Sequence, residues 1–190
     1  MTTDTTSTNS TELYLLATDY NFPKIYPPEG FRIVNYVQGD VDTWVRIQPK
    51  TEKYITITKE LYIQQFGKNH ERLSQRQFFI VDNKTNKAVG TSTSWYLDVE
   101  TSQDDKTTEN WGRVHWVCVL EEYQGKGLGK ALVSHTLSKL VELGHSKIFL
   151  YTDTRLENAV HIYKNCFKFV EQDKGLIARI KKANMLAVYD

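Results

Sequence analysis

The run Gln124-Gly125-Lys126-Gly127-Leu128-Gly129-Lys130 carries the strongest chemical signal in the chain. It follows an apolar stretch, Arg113 to Leu120, and opens an amphipathic one, Gly127 to Leu143. A helix start leaves backbone N–H groups unpaired and carries partial positive charge. Glycines let that backbone approach an anion closely and take unusual dihedrals. Together these features suit a phosphate or pyrophosphate, and Lys126 and Lys130 add charge. Spacing alone also permits a purely structural turn. A P-loop is absent, because no Lys-Ser/Thr follows a four-residue glycine gap. The glycines read Gly-x-Gly-x-Gly, a poor match to the dinucleotide fingerprint. Asp153 does lie 24 residues past Gly129, so a nucleotide-binding regulatory domain stays as an alternative.

Other reactive side chains are scattered. His115 lies in the apolar run and has a reference pKa suited to a base; a packed strand histidine is the competing reading. Tyr163 sits in a short helical pattern, where it also reads as an ordinary amphipathic residue. Glu121 and Glu122 are further candidate bases, or solvated loop carboxylates. His70, His135, His145 and His161 form no metal-ligand pattern with each other or with Cys118 and Cys166. Ser134 and His135 are neighbours in sequence, which is not a triad. Asp104, Asp105 and Glu109 lie in a polar segment that reads as a solvated loop.

The elements that must position these residues follow from pattern. Phe31 to Tyr36 reads as a strand. Asp40 or Asp42 caps a helix through Trp44 and Ile47, ended by Pro49. Thr58 caps another, with Leu61, Tyr62, Gln65 and Phe66 at helical spacing. Gln77 to Val81 and Ala88 to Tyr96 flank a turn-rich segment, which makes a hairpin. Asp98 to Asn110 reads as a long acidic loop. Arg113 to Leu120 reads as a strand buried on both faces. The helix from Gly127 stops near Gly144, and Lys147 to Thr152 is the next strand. Strand, helix, strand implies a right-handed parallel crossover. Glu157 to Asn165 is a short helix. Phe167 to Val170, Leu176 to Ile180 and Met185 to Tyr189 read as strands. The fold class is α/β, a sheet with helices on both faces. Residues 11 to 30, broken by Pro23, Pro27, Pro28 and Gly30, read as irregular. A flexible extension over 1–28 precedes one domain over 29–190.

Composition bounds the rest. Of the 190 residues, 40% are hydrophobic and 25% charged, as in a globular domain. The net charge of +1 gives no field that would select nucleic acid or an anionic membrane. Neither is expected as a partner. Two cysteines in apolar surroundings suit a reducing compartment, no apolar run spans a bilayer, and the Thr/Ser-rich start is not a secretory signal. The cytoplasm is the default location.

The glycine run resembles the signature of the GCN5-related N-acetyltransferase (GNAT) family, Gln/Arg-x-x-Gly-x-Gly/Ala after the fourth strand. Gln124, Gly127 and Gly129 match it, and Trp116 to Val119 and Tyr123 match the usual approach. Glu121 stands where proline is usual. Downstream, Asn158, Ala159, Tyr163 and Phe167 resemble the family's later motif, with Cys166 where glycine is common. The resemblance covers about Gln77 to Val170 and implies a mixed sheet whose fourth and fifth strands splay apart. It implies acetyl-CoA as co-substrate and no metal. Pantetheine would lie along the backbone of Val117 and Val119, and pyrophosphate on the amides from Gln124 through Gly125, Lys126, Gly127, Leu128 and Gly129, near Lys130 and Asn158. It implies direct attack by a primary amine, of a small molecule or a protein, in a ternary complex. A backbone N–H near Val117 would hold the thioester oxygen, and Tyr163 would protonate the thiolate. Histone-modifying relatives carry a glutamate where this chain has Arg113, so His115 is the candidate base. A homodimer is common among similar proteins. The alternative to an enzyme is a non-catalytic acyl-CoA-binding module.

Overall fold

The computed structural model describes residues 12–50, 55–100 and 107–187. Its strands are β1 (Glu12–Ala17), β2 (Phe31–Asn35), β3 (Gln77–Asp82), β4 (Lys87–Glu100), β5 (Thr108–Val119), β6 (Ile148–Asp153) and β7 (Phe169–Glu171). The helices are α1 (Val41–Ile47), α2 (Lys59–Phe66), α3 (His70–Arg76), α4 (Leu128–Glu142), α5 (Glu157–His161) and α6 (Lys174–Leu186). The strands form one seven-stranded sheet in the order β2-β3-β4-β5-β6-β1-β7. Among the described strands the β5–β6 pair alone is parallel, joined across α4 as the strand-helix-strand pattern requires.

Side-chain parity shows two covered faces. Leu13 and Leu15 of β1 and Ile148 and Leu150 of β6 pack with Val133, Leu137 and Leu140 of α4. The alternate residues Tyr14 and Phe149 pack with Leu176 and Ile180 of α6. Trp95, Leu97 and Val99 share one face of β4 by the two-residue period. Trp95 there meets Phe66 of α2, with ring centroids 5.5 Å apart. Trp44 of α1 meets Tyr62 and Phe66 edge-on, so α1, α2 and α6 cover the face opposite α4.

Several local signals act as expected. Thr58 accepts from the Leu61 amide and starts α2. Gly144, with φ 79°, ends the turn after α4. Other segments differ from expectation. The segment read as irregular contains β1, which pairs with β6 and β7 and so lies inside the sheet. After the exposed Glu12, its five residues LYLLA are apolar on both faces because both are covered. The expected strand at Leu176–Ile180 is instead helix α6. Asp173 caps it by accepting from the Leu176 amide, and Leu176, Ile180 and Ala183 recur at helical spacing. Met185 and Leu186 belong to the same helix, and 188–189 lie outside the described residues. The expected acidic loop is strand at both of its ends: Asp98, Val99 and Glu100 pair with Asn110, Glu109 and Thr108. Asp104 and Asp105 lie outside the described residues. Glu109 is ion-paired with Lys147 at 2.7 Å. Helix α3, unforeseen, is capped by Asn69 through the Arg72 amide.

The feature that matters for function is where β5 leaves its neighbour. The β5–β6 register holds at Gly112–Ile148 and Arg113–Phe149. Beyond it the strands part. A β-bulge on β5 opposes Trp116 and Val117 to Ser92 of β4, between the pairs Thr93–His115 and Thr91–Cys118. Trp116 takes φ 49° there, a left-handed conformation costing about 1–2 kcal/mol for a non-glycine residue. Three contacts hold it. Its carbonyl accepts from buried Gln48 at 3.1 Å, its indole N–H donates to Gln65 at 3.0 Å, and its ring sits edge-on to Trp44. Just past the bulge, Gly90 lets β4 approach closely: a Cβ there would meet the Cys118 carbonyl oxygen at 2.7 Å. Gly90→Ala should therefore destabilise the fold by about 1–3 kcal/mol, read as a lower urea midpoint with unchanged slope.

Candidate functional site

The glycine run forms the turn into α4. Gly125 and Gly127 have φ 75° and 82°, and a Cβ at either would meet nothing within 4 Å, so the space above the turn is open. Gly127 caps the helix, and its carbonyl accepts from Ala131. Among the described residues, no carbonyl outside the helix accepts from the amides of residues 125–130. These are orphan donors at the positive end of a 15-residue helix. Lys126 and Lys130 have no carboxylate partner among the described residues. The chemistry offered is that of an anion site, and a pyrophosphate fits it.

The turn is fixed from below. The Gln124 amide group donates to the Val119 carbonyl at 3.0 Å. Tyr123 donates to Asp82 at 3.1 Å, at the end of β3. Phe31 meets the Tyr123 ring edge-on, and Lys126 lies over it at 4.8 Å. The motif's Gln124 thus ties the turn to the last residue of β5. Leu128 is buried in the core beneath the turn, and Gly129 packs 3.7 Å from Ile162 through its would-be Cβ.

Tyr163 enters from the α4 face. It is buried with Val114, Leu150 and Phe169 around it. Burial pushes its hydroxyl well above the usual tyrosine value, and the nearby Cys118 thiol adds to this. It stays protonated. Among the described residues its hydroxyl makes no hydrogen bond. It lies in a π-helical turn, Ile162–Cys166, that continues α5. A π turn takes more residues than an α turn. The left-handed position that glycine would serve falls on Lys168, φ 57°, before Phe169, and not on Cys166. Asn158 is exposed on α5.

His115 faces the other way. It is buried, edge-on to Phe66 of α2, and its Nε2 lies 3.0 Å from Gln65 Oε1. The same oxygen accepts from Trp116 Nε1, which can only donate. That identifies the Gln65 atom as the oxygen, so His115 Nε2 must donate to it. The lone pair is left on Nδ1, which makes no hydrogen bond among the described residues. Burial, with a smaller contribution from Arg113, pushes its pKa well below 6.5, so it is neutral at neutral pH. The structure therefore sets Tyr163 and His115 on opposite faces of the sheet at the parting of β5 and β6, with Val117 and Val119 on the strand between. Gln65 was not foreseen from sequence, since a glutamine on an amphipathic helix carries no signal of its own.

Among the described residues, no group of three or more His, Cys, Asp and Glu side chains could hold a metal ion. No described helix is long and apolar enough to cross a membrane.

These features have parallels in known proteins. Residues 42–169 match the acetyltransferase (GNAT) family. A mycothiol acetyltransferase of Corynebacterium aurimucosum is 37% identical over 57 residues, which is 30% of this chain and 19% of that one. A GCN5-related N-acetyltransferase from Sphaerobacter thermophilus superposes with a TM-score of 0.66 at 16% identity, over 85% of this chain and 48% of that chain. Glucosamine-6-phosphate N-acetyltransferase from Arabidopsis thaliana gives 0.52 at 20% identity, over 73% and 90%. At such identities the solved structures speak for the fold alone. The match spans about half of the first structure and about a fifth of the curated relative. With a family match over most of its length, the chain belongs to the acetyltransferase (GNAT) family.

Proposed function

We propose that this chain moves an acetyl group from acetyl-CoA to a primary amine by direct attack in a ternary complex. The observation that carries the reading is the open inner edge of β5 running up to the unpaired amides at the start of α4. Acetyl-CoA supplies the activated thioester. The amides of residues 125–130, with Lys126 and Lys130, bind the pyrophosphate, and Asn158, one helical turn before the Ile162 that packs against Gly129, assists. The backbone of Val117 and Val119 orients the pantetheine, although Gln124 already occupies one lone pair of the Val119 carbonyl. A backbone N–H at Val117 holds the thioester oxygen as it becomes negative.

The two titratable groups take different tasks. Tyr163, kept protonated by burial, donates a hydrogen bond to the departing sulfur. Full transfer to a thiolate, with a reference pKa of about 8.5, would be uphill. His115 takes the amine proton at Nδ1. A lysine-like amine is neutral in roughly one molecule in a thousand near pH 7; it is this neutral form that attacks, and the proton it becomes able to shed as its nitrogen bonds to the thioester carbon passes to His115. Holding both substrates in register supplies much of the rate.

Titration calorimetry tests the donor site: acetyl-CoA should bind, and ATP and NAD should not. Absence of acetyl-CoA binding by folded protein would overturn the reading. Gly127→Asp should lower that affinity at least about tenfold, or 1.4 kcal/mol, with the circular dichroism spectrum retained. Tyr163→Phe should lower kcat about 10- to 100-fold while leaving the acetyl-CoA Kd within about twofold. Equal turnover would remove Tyr163 from the reaction. For His115 the sign of the pH effect is fixed. Its folded pKa lies below the unfolded value near 6.5, so its stabilisation is complete above about pH 6.5 and is lost as pH falls towards the folded value. Denaturation measured from pH 8 to pH 5 should show this loss, and His115→Asn should reduce it.

A further inference from the structure

Arg113 is an arginine in an unusual position. It is 2% exposed and stands at the last residue pair before β5 and β6 part. Its Nη1 donates to Asn184 Oδ1 at 3.0 Å. Its guanidinium lies over the Tyr151 ring, 4.5 Å from the centroid. Its Nε is buried with no hydrogen-bond partner, and no carboxylate lies within ion-pair distance among the described residues. A buried cation normally has a counter-charge, because removing a charge from water is costly. Asn184 occupies one side of the guanidinium and leaves the edge that includes Nε, a geometry that suits a two-oxygen anion.

A cavity of about 210 Å³ lies on the far side of the two residues that touch Arg113. Tyr151 and Asn184, both touching Arg113, line it together with Tyr14 and Ile180. The one acid on its wall, Glu12, is neutralised by Lys181. The cavity lies on the α6 face, the face that His115 also addresses. His115 is two residues beyond Arg113 on the same side of the strand, roughly 7 Å along it.

We infer that the acceptor is a small amine that also carries a carboxylate, which the free edge of Arg113 binds while the amine faces His115. This rests on the acetyl-transfer reading above. The short Arg113–His115 spacing selects a molecule whose amine and anion are only a few bonds apart. Neutral amines have no group to pair with the guanidinium.

The test measures CoA thiol release from acetyl-CoA with matched acceptors: α-amino acids, their primary amides and their decarboxylated amines. Carboxylated acceptors should have kcat/KM about tenfold or more above their neutral counterparts. Arg113→Met should erase that preference by raising KM for the carboxylates alone. Asn184→Asp, on the exposed side of α6, supplies an internal counter-ion without disturbing the core. It should raise KM for carboxylates at least severalfold and leave neutral amines unchanged. Equal turnover of charged and neutral acceptors, or equal losses on both in Asn184→Asp, would overturn the inference. If acetyl-CoA binds and only neutral amines react, the inference fails and the donor site stands. If acetyl-CoA does not bind, the acetyl-transfer reading itself falls.

Discussion

The parting of β5 from β6 is the constraint on which the rest depends. In a closed sheet, every inner strand edge is consumed by its neighbours. Here the ladder ends at Arg113 and Phe149, and the remaining half of β5 keeps only its β4 partner on one side. The bulge at Trp116 turns the strand, and the left-handed conformation it needs is locked by Gln48, Gln65 and Trp44. Local strain is thus stabilised by packing from α1, α2 and the turn after α1. Helices remote in sequence hold open an edge that a ligand backbone can use.

The same parting arranges the electrostatics. On one side, α4 presents its positive end and unpaired amides to the opening. Tyr163 stands nearby as a neutral donor. On the other side, His115 is kept neutral by burial and fixed in one tautomer by Gln65. Neither ionisable group carries charge at neutral pH, so what each can offer is a hydrogen bond or a transient proton transfer. Arg113 is the exception, a permanent cation at the fork, matched among the described residues by an amide and an aromatic face.

The relation between this fold and its sequence is uneven for physical reasons. α4 and its glycine turn were legible because each signal is local: a buried strand, glycines, then a long amphipathic period. The β3–β4 hairpin was legible from its turn residues. β1 was not, since five apolar residues between a polar start and a proline-rich segment show no partner until β6 exists beside them. α6 was misread as strand although Asp173 and the spacing of Leu176, Ile180 and Ala183 carried a helical signal. Short apolar runs are ambiguous between the two periods.

By itself, the sequence determined the α/β class and the glycine turn into α4, and it singled out Gln124, Tyr163 and His115 as candidates, because these depend on residue type and short spacing. The tertiary structure decided which side of the sheet each side chain serves, where the β5–β6 ladder stops, and which partner fixes His115. It also decided that Arg113 is buried with no carboxylate at ion-pair distance among the described residues. These are outcomes of contacts between segments tens of residues apart, and a chain read one window at a time contains no term for them.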